Sequence, residues 1–216
     1  LRDQGEIRRE QAEEWAKRVA DGAPVSNLSV KYGIYQNVDR SQPLTIICDR
    51  AFIAMKSIQN EYGQSIAFYD GEMSRKHIRQ RTLEAGFEEA LEQREFVIYY
   101  QPQYNTQTEH IAGAEALVRW KKPDGTLIRP GEFIPLFEKN GFITKLDQFV
   151  WDKACAAIRS WDDRGYYPIS VSVNVSRADI YNEDLVSTLI QIVERYGLSP
   201  SRLHLEITES AYTENP

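Results

Sequence analysis

Three segments of the chain share one alternating pattern. In Glu115-Ala116-Leu117-Val118-Arg119-Trp120, a strand period of two puts Glu115, Leu117 and Arg119 on one face. In Ser170-Val171-Ser172-Val173-Asn174-Val175-Ser176, the valines point one way and Asn174 points the other way with the serines. In Leu203-His204-Leu205-Glu206-Ile207-Thr208, His204, Glu206 and Thr208 oppose the leucines and Ile207. Strands that alternate with helices normally form parallel sheets buried on both faces, and they read as continuous apolar runs. These three do not, so two acids and an amide are expected to be buried in the fold. Such groups need a partner, and a hard divalent cation supplies one.

The rest of the pattern predicts two regions joined by a helix. Ile7, Ala12, Trp15, Ala16 and Val19 recur at helical spacing over 6–20, and Asp21-Gly22 ends that helix. A short strand is expected over 28–35. Ser41 reads as an N-cap, with Pro43 in the first turn of a helix carrying Ile47, Ala51, Ala54, Met55 and Ile58. Tyr62-Gly63 closes it, and 65–69 reads as a second strand. One long charged helix over 74–93 is the expected connector. Beyond it come a strand over 96–103, the Glu115 strand, helices over 130–139 and 146–164, the Asn174 strand, a helix over 185–196 and the Glu206 strand. This order predicts an α/β barrel or a doubly wound sheet. The barrel is favoured because Glu115, Asn174 and Glu206 lie late in their runs, where barrel enzymes keep their active groups.

Composition narrows the function. The 216 residues are 42% hydrophobic and 27% charged, as in an ordinary soluble globular protein. A formal net charge of -6 opposes broad nucleic-acid binding but leaves a small nucleotide open. Cys48 and Cys155 fall inside apolar helical patterns and read as reduced core thiols, which points to the cytoplasm. No apolar run reaches the length of a membrane span, and no signal peptide is expected in this stretch. A chain starting at Leu1 is expected to come from a longer parent, whose own membrane anchoring is left open.

At these residues the chain resembles the EAL family of cyclic di-GMP phosphodiesterases. Five blocks in order carry the resemblance: Tyr100-Gln101-Pro102, the Glu115-to-Trp120 segment, Pro130-Gly131-Glu132-Phe133-Ile134-Pro135, Ser172-Val173-Asn174-Val175-Ser176 and Leu205-Glu206-Ile207-Thr208-Glu209. The resemblance implies a partial TIM-type (β/α) barrel over 95–216, the N-terminal half of the domain. It implies Glu115, Asn174 and Glu206 as ligands of Mg²⁺ or Mn²⁺, with two ions in the intact domain. Glu115, Glu206 and Glu209 take catalytic roles by the same likeness, and Gln101, Leu117 and Arg119 contact substrate. A guanidinium such as Arg119 matches phosphate oxygens in a fork. The implied reaction opens cyclic di-GMP to linear pGpG, and a homodimer through this domain is consistent with the likeness. Residues 1–72 resemble the C-terminal half of a GGDEF domain, an α+β fragment, through Leu28 to Tyr35, Cys48-Asp49-Arg50-Ala51, Lys56 and Tyr62-Gly63. Its signature Gly-Gly-Asp/Glu-Glu-Phe loop is absent from the sequence, so no cyclase activity is expected. Residues 73–94 form the expected connecting helix.

Plainer readings stand beside these. Taken singly, Glu115 and Glu206 suit solvated carboxylates, Asn174 suits a turn cap before Arg177, and Arg119 suits an ion pair. Thr208 and Glu209 suit either orientation of ligands or the start of a helix. His204 reads as structural, and Trp120, Trp151 and Trp161 as packing. The family's later aspartate pair, lysine, glutamate and glutamine have no counterpart before Pro216, and a complete barrel runs to about 250 residues. This stretch alone is therefore expected to be inactive while its parent hydrolyses the dinucleotide. A non-catalytic cyclic di-GMP receptor and a signalling scaffold are the alternatives.

Overall fold

The computed structural model describes residues 7–22 and 30–207. It forms two compact units that divide between Thr82 and Leu83. The first unit holds helix α1 (Arg9–Asp21), strand β1 (Tyr32–Ile34), helix α2 (Leu44–Ser57), strand β2 (Ile66–Phe68) and most of α3 (Gly71–Ala85). Strands β1 and β2 pair in parallel, with α2 as the crossover between them. Ala12 and Ala16 of α1 pack on Ile66, whereas Trp15 and Val19 remain half exposed. Trp15 instead meets Tyr32 edge-on at 4.9 Å.

Local chemistry moves two predicted boundaries. Pro43 is itself the N-cap of α2 rather than a residue of its first turn. Ser41 turns back to Asp39, which accepts hydrogen bonds from its hydroxyl at 2.7 Å and its backbone N–H at 3.0 Å. The expected single connecting helix is broken at Gly86 into α3 and the short α4 (Phe87–Glu92). Cys48 also departs from its reading as a core thiol. It is exposed on α2, because the packed side of that helix is carried by Ala54, with Ile58 just beyond its end. Cys155 is fully buried, and burial pushes its thiol up to about 11.

The second unit is a five-stranded sheet, ordered β3-β4-β6-β7 with β5 on β4. Its elements are α4, β3 (Phe96–Asn105), β4 (His110–Lys121), β5 (Leu127–Ile128), α5 (Pro130–Asn140), α6 (Phe142–Asp163), β6 (Ser170–Val175), α7 (Arg177–Ile180), α8 (Leu185–Arg195) and β7 (Leu203–Ile207), the last preceded by a 3₁₀ turn over Pro200–Arg202. Strands β3 and β4 run antiparallel, whereas β4, β6 and β7 are parallel. Pro102 sits inside β3 without breaking the sheet, because β3 is an edge strand and a missing N–H there costs no ladder bond.

One face of the sheet is apolar and covered by helices. Val171, Val173 and Val175 of β6 are buried with Val150, Trp151, Ala154, Cys155 and Ile158 of α6 and Leu189, Ile192 and Val193 of α8. The spacing of these α6 residues by threes and fours makes one apolar stripe. A second cluster gathers aromatic rings: Phe87, Phe96, Trp120, Phe133 and Phe137 lie 4.6–6.0 Å apart, centre to centre, in successive pairs. Beneath it, buried Glu95 accepts from Trp120 Nε1 and Lys122 Nζ, each at 2.7 Å. Burial alone would raise the Glu95 carboxyl, but those donors outweigh it and hold it below its ordinary value.

Two acids are buried among these apolar groups. Asp147 on α6 is 8% exposed and Asp179 on α7 is 1% exposed. Burial, then the adjacent Asp179, push Asp147 from 3.8 to about 9. It is therefore a neutral carboxylic acid in the folded protein at pH 7.

Two measurements follow from this packing. A Cβ at Gly33 would lie 1.8 Å from the Ala51 carbonyl oxygen and 2.6 Å from the Met55 nitrogen, both backbone atoms of α2. Gly33→Ala must push β1 off α2, and denaturant titration should show a loss of at least roughly 1–3 kcal/mol in the first unit. For Asp147, the folded state holds a proton that the unfolded chain releases above about pH 4. Its favourable contribution is complete below that pH and is lost as pH rises toward about 9. Asp147→Asn stays neutral, so its stability relative to wild type should rise across this window, with a slope of up to roughly 1.4 kcal/mol per pH unit in denaturant melts. A flat difference would show that Asp147 is ionised in the folded protein.

Candidate functional site

The face opposite the helices carries the polar side chains of the three alternating strands. Antiparallel pairing sets Gln101 beside Glu115, and parallel pairing sets Glu115 beside Ser172 and Ser172 beside His204. Two residues further along, Asn174 stands beside Glu206. Side chains of register partners point to the same side of a sheet, so the two acids and the amide share one face. Asn174 Nδ2 donates to Glu115 Oε1 at 3.2 Å.

The structure thus joins residues 59 positions apart in sequence through the β4–β6 pairing. It also corrects two expectations about them. Glu115, Asn174 and Glu206 are partly exposed rather than buried. Glu115 lies in the middle of β4 rather than late in it, because β4 runs on to pair with the start of β3 and with β5. Asn174 and Glu206 do lie near the ends of β6 and β7. The Glu206 side chain has no hydrogen-bond or ion-pair partner among the described residues.

The other predicted residues flank this centre. Leu117 is half-buried and pairs with Tyr99; Arg119 is half-buried and pairs with Val97. The Arg119 guanidinium donates to the Val118 carbonyl at 2.9 Å and lies 5.8 Å from the Tyr99 ring centre. It pairs with no acid among the described residues, so its charge is not consumed by a salt bridge there. Gln101 is exposed on the edge strand. Glu209 and Thr208 lie outside the described residues. His204 is exposed on the same face.

Chemically, two carboxylates and one amide are the hard oxygen donors that Mg²⁺, Mn²⁺ or Ca²⁺ accept. No three His, Cys, Asp or Glu side chains converge anywhere among the described residues, so a cation here needs Asn174 as its third donor. To serve, the Asn174 amide must turn its oxygen toward the cation, since its nitrogen now faces Glu115.

Sequence reasoning passed over the residues that hold Asn174 from behind. Trp151, read as packing, is indeed buried in the core, and its Nε1 also donates to the Asn174 carbonyl at 3.1 Å. Ser176 and Asp179 form a capping box at the start of α7. The Ser-x-x-Asp spacing just after the strand, and a lone acid on the apolar stripe of α6, were the available signals.

The family model described as "EAL domain" matches residues 84–216. Signaling protein YkoW of Bacillus subtilis is 31% identical over 198 residues, covering 92% of this chain and 24% of that protein. The bifunctional diguanylate cyclase/cyclic di-GMP phosphodiesterase MucR of Pseudomonas aeruginosa is 32% identical over 203 residues, covering 92% of this chain and 30% of that protein. The chain thus spans only 24% and 30% of the length of these two relatives. A solved structure of the MucR phosphodiesterase in complex with c-di-GMP superposes with a TM-score of 0.57 at 38% identity, covering 60% of this chain and 53% of that one. With a family model matched over more than half its length, the chain belongs to the EAL domain family.

Proposed function

We propose that this chain contributes the metal-binding and substrate-binding residues of a cyclic di-GMP phosphodiesterase that opens the cyclic dinucleotide to linear pGpG. The observation that carries the reading is the convergence of Glu115, Asn174 and Glu206 on one sheet face, tied by the Asn174–Glu115 hydrogen bond. The MucR phosphodiesterase, 38% identical over the matched region, is described as a complex with c-di-GMP, which supports the same ligand here.

In this reading Glu115, Asn174 and Glu206 hold a Mg²⁺ or Mn²⁺ ion. The bound ion would lower the pKa of a coordinated water and draw charge from the phosphate oxygens. Arg119, with no acid to neutralise it among the described residues, supplies a fork of donors to a phosphate oxygen. Gln101 and Leu117 flank the dinucleotide, Gln101 as a polar contact from β3 and Leu117 as an apolar one between Glu115 and Arg119. Glu209 acts with Glu206 in catalysis. A second ion, if held by the intact domain, would need ligands beyond the described residues. Domain boundaries at 1–72, 73–94 and 95–216, a partial barrel for the last, a degenerate GGDEF-type half for the first and a homodimer through the EAL region complete the proposal. The parallel β1–α2–β2 crossover supports the GGDEF-type assignment, as does the MucR match, which extends over 92% of this chain.

The test is hydrolysis of cyclic di-GMP by the full-length protein that contains this chain, followed as linear pGpG with Mg²⁺ or Mn²⁺ present. Glu115→Gln is expected to lower turnover roughly 10²–10³-fold, the scale of removing one charge-stabilising group from a site. A chelator should abolish turnover, and added Mn²⁺ should restore it. Turnover indifferent to both changes would refute the assignment. Tight binding of cyclic di-GMP without turnover under any metal would favour a receptor instead.

A further inference from the structure

The turn that follows Asn174 is held by a buried set of side chains that the proposed chemistry does not use. Asp147 and Trp151 are four residues apart on α6, so they present to one side of it. Trp151 Nε1 grips the Asn174 carbonyl at 3.1 Å. Two residues on, the Ser176 N–H donates to Asp179 Oδ2 at 3.0 Å, the Ser176 hydroxyl donates to the same oxygen, and the Asp179 N–H donates back to Ser176 Oγ at 3.3 Å. The other carboxylate oxygen, Asp179 Oδ1, is fully buried and receives no hydrogen bond from any N–H or hydroxyl donor among the described residues. Asp147 lies close to both Asp179 and Ser176, so that as a carboxylic acid it has a proton to offer this buried group.

Burying two acids for one four-residue helix is a costly way to end a strand. Hydrophobic residues of similar volume would stabilise the same junction at least as well. What they would not do is fix the backbone on both sides of Val175. We infer that Asp147, Trp151 and Asp179 are positioning residues: acting through Ser176 and the Asn174 carbonyl, they aim the Asn174 amide at Glu115 and at the cation. This deepens the proposed function and rests on it for the cation alone. Supporting groups of this kind orient ligands in metal sites, and their loss costs on the order of 10–100-fold in metal affinity.

The experiment uses the chain with selective ¹⁵N-asparagine labelling, the Asn174 side-chain amide being identified by its disappearance in Asn174→Gln. Trp151→Phe keeps the ring and removes one donor; Asp147→Ala removes the carboxyl; Asp147→Asn keeps a neutral donor. Ile158→Val, a buried change two turns further along α6, serves as a control for general loosening. Trp151→Phe and Asp147→Ala should shift the Asn174 amide resonances and speed their exchange with solvent. Both should weaken Mn²⁺ binding, read by paramagnetic broadening, roughly 10–100-fold. Asp147→Asn should restore both readouts, and Ile158→Val should change neither. The inference is overturned if the Asn174 signals of Trp151→Phe match wild type, or if Ile158→Val moves them equally. If Asp147→Ala does not fold, Trp151→Phe and Asp147→Asn still decide. If wild type binds no Mn²⁺, the cation reading fails by itself and the Asn174 amide signals alone judge the positioning role.

Discussion

Everything at the candidate site depends on the parallel register of β4, β6 and β7. Glu115 beside Ser172, and Asn174 beside Glu206, are consequences of which backbone N–H meets which carbonyl. A slip of one residue would turn every side chain of a strand to the other face. The valines of β6 would then face away from α6 and α8, and Asn174 would enter the apolar layer. The hydrophobic face therefore enforces the polar one: burying Val171, Val173 and Val175 against the helices is what keeps Asn174 beside the two acids.

Helix α6 links this constraint to the chemistry. Its apolar residues cover the sheet, Trp151 reaches the end of β6, and Asp147 lies near Ser176 just beyond it. Tryptophan suits the first contact because one residue combines a large buried ring with a directed N–H. An acid suits the second only when neutral, and the raised Asp147 is neutral at pH 7. Stability and site geometry thus share the same helix, and changes at Trp151 or Asp147 in particular are expected to reach Asn174 without touching it.

Much of the second unit was legible from pattern alone. The alternation around Glu115, Asn174 and Glu206, and the helices over 130–140 and 185–195, rest on periods that local chemistry sets. Where the reading failed, a competing local term prevailed. Gly86 broke a helix whose charged residues carried no strong apolar period, and Pro43 took the cap itself. Cys48 was misplaced because its helix is apolar on more than one side, with Leu44 and Phe52 also exposed. The partly exposed acids were misjudged because alternation tells which side of a strand a residue takes, not what covers that side.

The sequence by itself determined which residues share a strand face, where turns fall and which donors are available for a hard cation, because these follow from spacing and residue type. Only the tertiary structure decided that β4 and β6 are neighbours, that the Asn174 amide meets Glu115, and that Asp147 and Trp151 stand behind it. Those facts depend on pairing and burial between segments far apart in the chain. Such contacts form when whole elements dock, and no local window of residues encodes them.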